Sequence, residues 1–231
     1  MNELQPIQTG TLKSQAVVAI RDAIFSGKYD LGEPLREIQL ARALKVSQPT
    51  VREALIELER SGLVVRETNV GTYVTNMTTK EVRDRLEVRT LLEQQAMESA
   101  CVEMKVEDFS ELRKRLNLLS LAIEKDAFLE FASTDLEFHR FIWQCSGNPI
   151  LAQTLDQVAT PLFAFMSIVR SSAAKSLPRV VLPHAPIVAA LEERNVALGR
   201  ELIRKHIYDS YASFFDAQVE DCRTFAMANG D

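Results

Sequence analysis

A three-residue break, Lys45-Val46-Ser47, separates two short helical patterns, and this spacing restricts the first third of the chain more than any other feature. Before it, Leu35 to Leu44 carries Ile38, Leu40, Ala41 and Leu44 as apolar positions. After it, Val51, Ala54, Leu55 and Leu58 recur at helical spacing and form one stripe. Ser47 can cap the second helix through its hydroxyl, and Pro49 falls in the first turn, where a missing backbone N–H leaves no bond unmade. Two helices joined so tightly are what a helix-turn-helix needs, because the first must brace the second against a DNA groove. Gln48, Thr50, Arg52 and Glu53 point away from the stripe. Arg suits the two acceptors of guanine, Gln the donor and acceptor of adenine, and Thr the thymine methyl. An ordinary amphipathic surface helix fits this segment equally well when it is taken alone, so its neighbours decide.

Those neighbours favour DNA reading. After an arm expected to be mobile, Ser14 to Phe25 places Ala16, Val17, Ile20, Ala23 and Ile24 on one face of a helix that Ser26-Gly27 can end. Lys28 to Pro34 is a turn-rich connection. Beyond the recognition pattern, Gly62 stops the helix, and Leu63-Val64-Val65 and Thr72-Tyr73-Val74 are short β-type runs around the turn formers Asn69 and Gly71. They predict a hairpin wing that touches the minor groove or the phosphates, and one too small to stand without packing on the helices.

The 231 residues suffice for two modest domains, and 46% hydrophobic with 26% charged residues is ordinary for a soluble chain. No run approaches the roughly 18 apolar residues of a membrane span, and MNELQPIQTG lacks a signal-peptide pattern, so a cytoplasmic address without membrane contact is expected. Cys101, Cys145 and Cys222 are far apart and form no CxxC pair, which predicts buried apolar thiols rather than disulfides or a thiolate metal site. The net charge of −5 is uneven. Residues 1–76 carry 9 Lys+Arg against 9 Asp+Glu, while the remainder carries 18 against 23. The overall sign therefore does not argue against a DNA partner.

From Thr78, whose T-x-x-E pattern with Glu81 is a capping box, the chain shows no convincing strand. Helices are predicted near 79–104, 108–124, 126–146, 149–174, 182–193 and 195–221, with breaks at Gly147-Asn148-Pro149, at Pro178 to Pro186 and at Asn195, and a kink at Pro161. The fold class is mainly α: a winged helix-turn-helix over 1–76 with a small β-hairpin wing, and an all-α helical bundle over 77–231. The only histidines, His139, His184 and His206, all lie in the bundle. Asp135 and His139 share a face at i, i+4, flanked by Phe138 and Ile142; Leu198, Leu202 and His206 form a second such row. One carboxylate and three imidazoles converging there would suit a borderline divalent ion, Zn2+ first, with Ni2+ or Mn2+ as alternatives. Taken singly, each histidine fits a satisfied core residue or a solvated surface one better than it fits a ligand.

The run IFSGKYDLGEPLREIQLARALKVSQPTVREALIELERSGLVVRETNVGTYV resembles the N-terminal domain of the GntR superfamily of bacterial transcription regulators. The matching positions include Gly27, Gly32, Leu35, Glu37, Leu40-Ala41, Val46-Ser47, Val51-Arg52-Glu53-Ala54-Leu55, Gly62-Leu63-Val64 and Gly71. Members often carry arginine where Gln48 stands, which implies a different base preference. Arg36, Ser47, Gln48, Thr50, Arg52 and Gly71 are the candidate contacts to double-stranded operator DNA. D-L-E-F-H at 135–139, with His184 and His206, is similar to the ligand pattern of the FCD effector domain in the FadR branch. That resemblance implies Asp135, His139, His184 and His206 as metal ligands and a small carboxylate effector completing the coordination. It also implies Arg89 as a partner for the effector carboxylate, the alternative being an ion pair with Glu93 one turn on. Pro183 replaces an acidic residue often found before the third ligand, and predicts an irregular helix start. A homodimer on a palindromic operator is expected, since one short helix reads too few base pairs. Two rivals stay open. One is a regulator with a metal-independent effector pocket; the other is a metal-dependent enzyme, for which the sequence offers no nucleophile motif and no evident general base beside the cluster.

Overall fold

The computed structural model describes residues 12–125, 128–172 and 183–228, with side chains described to residue 216 except at 128, 129 and 172. The N-terminal arm, the break around Pro178 and the Cys222 side chain lie outside these. The first five elements are α1 (Leu12–Phe25), α2 (Glu37–Leu44), α3 (Gln48–Arg60), β1 (Val64–Glu67) and β2 (Gly71–Val74). Lys45 turns the chain between α2 and α3 in the left-handed conformation, at φ 54°, and its N–H closes α2 on the Ala41 carbonyl. Ser47 then caps α3, its Oγ accepting from the Thr50 N–H at 3.2 Å. Ile20, Ile24, Val51, Leu55, Leu58 and Leu63 make the core of this part. Ile38 does not join it and is 59% exposed, because two residues of helix place it on roughly the opposite side from Leu40.

The wing forms with Val64 opposite Val74 and Glu67 opposite Gly71. Asn69, at φ 62°, takes the left-handed position of its turn; Gly71 begins β2 instead. The segment before α2 supports this small hairpin. Leu35 N–H donates to the Thr72 carbonyl at 2.7 Å and Val74 N–H to the Glu33 carbonyl at 2.9 Å, so the turn-rich connection doubles as a third strand-like edge.

The rest is helical: α4 (Thr79–Glu103), α5 (Val106–Glu124), α6 (Phe128–Gln144), α7 (Pro149–Ser172), α8 (Ala185–Glu192) and α9 (Val196–Ala228). The capping box at Thr78 and Glu81 opens α4. Gly147, at φ 69°, and the Asn148 side chain, which accepts from the Leu151 N–H, make the break before α7. Helix α4 packs along α7 and α9, and α6 lies between α5 and α7. Cys101 is buried and Cys145 half-buried, both as free thiols. No described helix is long and apolar enough to cross a membrane.

Helix α7 also packs on the winged helix. Ser167 Oγ donates to the Phe25 carbonyl at 2.6 Å, and one apolar cluster runs from Ile24 and Leu58 through Leu155, Phe163 and Ile168. Pro161 lies within α7 and faces Gly62, the residue that ends α3. Gly62 has φ 72°, and a Cβ there would stand 2.7 Å from Pro161 Cγ. Gly62→Ala is therefore expected to lower stability by roughly 1–3 kcal/mol, from left-handed strain and overpacking together, read as a lower denaturation midpoint.

Candidate metal centre and nucleic-acid interface

Three helices bring the four expected ligands together. Asp135 and His139 stand one turn apart on α6, His184 sits at the N-terminal boundary of α8, and His206 projects from α9. One donor atom from each lies within 4.8 Å of all the others. The three histidines are buried, and Phe138, wholly buried, packs edge-on against the His184 ring at 4.9 Å. His184 Nε2 donates to Asp135 Oδ1 at 2.8 Å, and His139 Nε2 lies 3.6 Å from the same oxygen. The row behind His206 differs from the sequence expectation. Leu198 is 42% exposed, and the buried face of α9 continues instead through Ile203, Ile207, Tyr211 and Phe214, because an i, i+4 row drifts around a helix of 3.6 residues per turn.

The residue whose role sequence reasoning gave only in part is Glu93. Read there only as an ion-pair partner for Arg89, it also holds a ligand. His139 Nδ1 donates to Glu93 Oε2 at 2.8 Å, and Arg89 Nε donates to Glu93 Oε1 at 2.6 Å, all three side chains buried. Burial alone would raise the Glu93 pKa, but the charges and hydrogen bonds of His139 and Arg89 outweigh it and hold the carboxyl down at about 2. An ionised carboxylate only accepts, so His139 carries a proton on Nδ1, and its Nε2 is the atom turned toward Asp135 and the other histidines. That Nε2 is buried and has no hydrogen-bond partner.

Asp135 and His206 are held in the forms a cation needs, and binding one would displace the proton that His184 Nε2 gives to Asp135. Burial raises the Asp135 pKa, but the neighbouring histidines, His184 foremost, bring it well below the usual carboxylate range. Burial, then the repulsion of His184 and His139, pushes His206 well below the ordinary imidazole value, which keeps it neutral. A carboxylate, a neutral imidazole and an oriented, unpartnered ring nitrogen fit a borderline divalent ion, with Glu93 as the outer partner that fixes a ligating imidazole.

A cavity opens beside the cluster, walled by Arg89, Phe163, Met166, Ser167, Arg170, Ser210 and Tyr211. Arg89 meets both sequence expectations at once: it pairs with Glu93 and lies on the cavity wall, its guanidinium 4.4 Å above the Phe163 ring. Arg170 was missed. Its signal was an arginine closing the apolar helix that carries Leu162, Phe165 and Val169.

At the other end, Ser47, Gln48, Thr50 and Arg52 share the first turns of α3. Gln48 is exposed; the Ser47 and Thr50 hydroxyls bond each other at 2.8 Å. Arg52 is exposed and grips Glu37 on α2, Nε at 3.0 Å and Nη2 at 2.7 Å from the two carboxylate oxygens. Arg36 and Gly71 line a separate groove between α2 and the wing, together with Arg66 of β1, which sequence reasoning left unassigned.

A helix-turn-helix with its wing, joined to an all-α bundle, defines a DNA-binding transcriptional regulator. Residues 12–74 match the model of the bacterial regulatory proteins of the gntR family, and residues 84–209 match the FCD domain. The chain belongs to the GntR family of transcriptional regulators, in the group that carries an FCD domain. It is 27% identical over 188 residues to the uncharacterised HTH-type transcriptional regulator YdhC of Bacillus subtilis (81% of this chain, 84% of that protein). It is also 27% identical over 197 residues to a probable D-xylose utilization operon transcriptional repressor of Paenarthrobacter nicotinovorans (85% and 86%). The solved structure of E. coli McbR/YncC has a similar fold, with a TM-score of 0.73 at 21% identity over 89% of this chain and 100% of that one.

Proposed function

We propose that this regulator binds a palindromic operator as a homodimer in the cytoplasm, and that a small organic acid bound at a metal centre in the bundle sets its operator affinity. In this reading residues 1–76 read DNA and residues 77–231 sense the acid. The observation that carries it is the His139 Nε2 atom: buried, without a hydrogen-bond partner, oriented by Glu93 and facing three further donors. Buried polar nitrogens are rarely left unpaired without a ligand to meet them.

Asp135, His139, His184 and His206 would hold the ion, Zn2+ before Ni2+ or Mn2+, and when bound it supplies a Lewis-acidic position for a carboxylate oxygen. The chain's own residues do the rest. Phe163 and Met166 give the cavity apolar walls, and Arg89 and Arg170 place positive charge on it. Helix α7 supports a route outward, since Ser167 lines the cavity and also bonds the end of α1. An acid that prefers one placement of α7 would shift the population of recognition-helix separations.

Elemental analysis of protein purified without chelators tests the metal reading. About one divalent ion per chain is expected, retained on dialysis and regained after stripping. No bound ion, and none regained on reconstitution, would instead favour an effector held by polar contacts alone.

A further inference from the structure

The cavity holds two guanidinium groups, and they are not equivalent. Arg89 is matched, since it donates to the buried Glu93 carboxylate at 2.6 Å. Arg170 is not. Among the described residues no carboxylate pairs with it. Its Nη2 donates to the Ser210 carbonyl at 2.6 Å, while its Nε is enclosed and has no hydrogen-bond partner. A carbonyl satisfies one N–H but cancels no charge, and an enclosed donor without an acceptor is costly. Burial pushes the Arg170 pKa down, whereas the pairing of Arg89 with Glu93 outweighs burial and raises that of Arg89.

We propose that Arg170 binds a second anionic group of the effector, and that the effector is therefore a small dianion such as a dicarboxylate. The inference rests on the metal-centre reading above. Around the site, Arg89 and Arg170 supply two positive charges and Asp135 and Glu93 two negative ones, so the protein groups cancel. A divalent ion then adds two positive charges to a largely enclosed space. A monocarboxylate leaves one of them unmatched; a dicarboxylate matches both, and its second carboxylate can accept from Arg170 Nε.

Calorimetric titration of metal-loaded protein with matched acids tests this, using lactate against malate and gluconate against glucarate. Each pair differs chiefly in the second carboxylate. A diacid is expected to bind about 10-fold or more tighter than its partner, the worth of one charge-assisted hydrogen bond. Arg170→Gln should abolish that preference while metal content by elemental analysis stays unchanged, and Arg170→Lys should retain part of it. Equal affinities within both pairs, a preference that survives Arg170→Gln in full, or no binding by any acid to protein shown to be loaded would each overturn the inference and leave the metal reading intact. A protein that takes up no metal would overturn both.

Discussion

His206→Ala is expected to abolish the metal-linked rise in melting temperature while leaving the winged helix folded. At a free metal concentration 100 times the dissociation constant, binding stabilises the native state by about 2.7 kcal/mol, or roughly 5–10 °C for a chain of this size. His206 is one of four donors, is buried, and is kept neutral by its surroundings, and among the described residues of α9 no other joins the cluster. Truncation also leaves a small cavity, which lowers the stability of the metal-free protein in its own right. The informative quantity is therefore the difference between loaded and stripped forms of each variant, followed by differential scanning fluorimetry. A His206→Ala protein that gains as much from metal as the wild type would remove His206 from the ligand set.

Arg52→Ala is expected to weaken operator binding by roughly 1–3 kcal/mol in each half-site, which a symmetric dimer experiences twice. The guanidinium is exposed on the first turns of α3 and is held extended by Glu37. An exposed ion pair of this kind contributes little to stability, so its loss leaves the fold intact and the defect falls on DNA. Binding titrations at several salt concentrations separate the two kinds of contact. A phosphate contact lowers the salt dependence by about one counterion per site, whereas a base contact relaxes sequence preference and leaves the salt slope alone. Unchanged affinity would take Arg52 out of the interface.

The winged helix was legible because its signals are local. The break at Lys45-Val46-Ser47, the Ser47 cap and the Gly62 stop each act within a few residues, and each appears where the periodicity places it. The third edge of the wing was not legible. Residues 33–35 look like a turn and pair with β2 only because the chain folds back on it. The same division runs through the bundle. The spacing of Asp135 and His139 gave a shared face, and the family resemblance supplied His184 and His206, which the structure brings within a few ångströms of them. Glu93 and Arg170 depend on which helix faces which. Periodicity assigns Arg89 and Glu93 to one stripe of α4 but cannot say that His139, 46 residues later, arrives opposite. Ile38 and Leu198 failed for a simpler reason: apolar character was taken for burial in helices whose inward face lies elsewhere.

The proposed acid at the proposed metal centre would control DNA affinity. This control is tested most directly by fluorescence anisotropy on an operator selected from randomised DNA, with metal-loaded protein, metal-stripped protein and His206→Ala, each titrated with the same carboxylates. At least one acid should change the operator affinity of the loaded wild type and leave the other two forms unaffected. An acid response of equal size in the stripped protein, or no response in the loaded protein to any acid tested, would contradict the account.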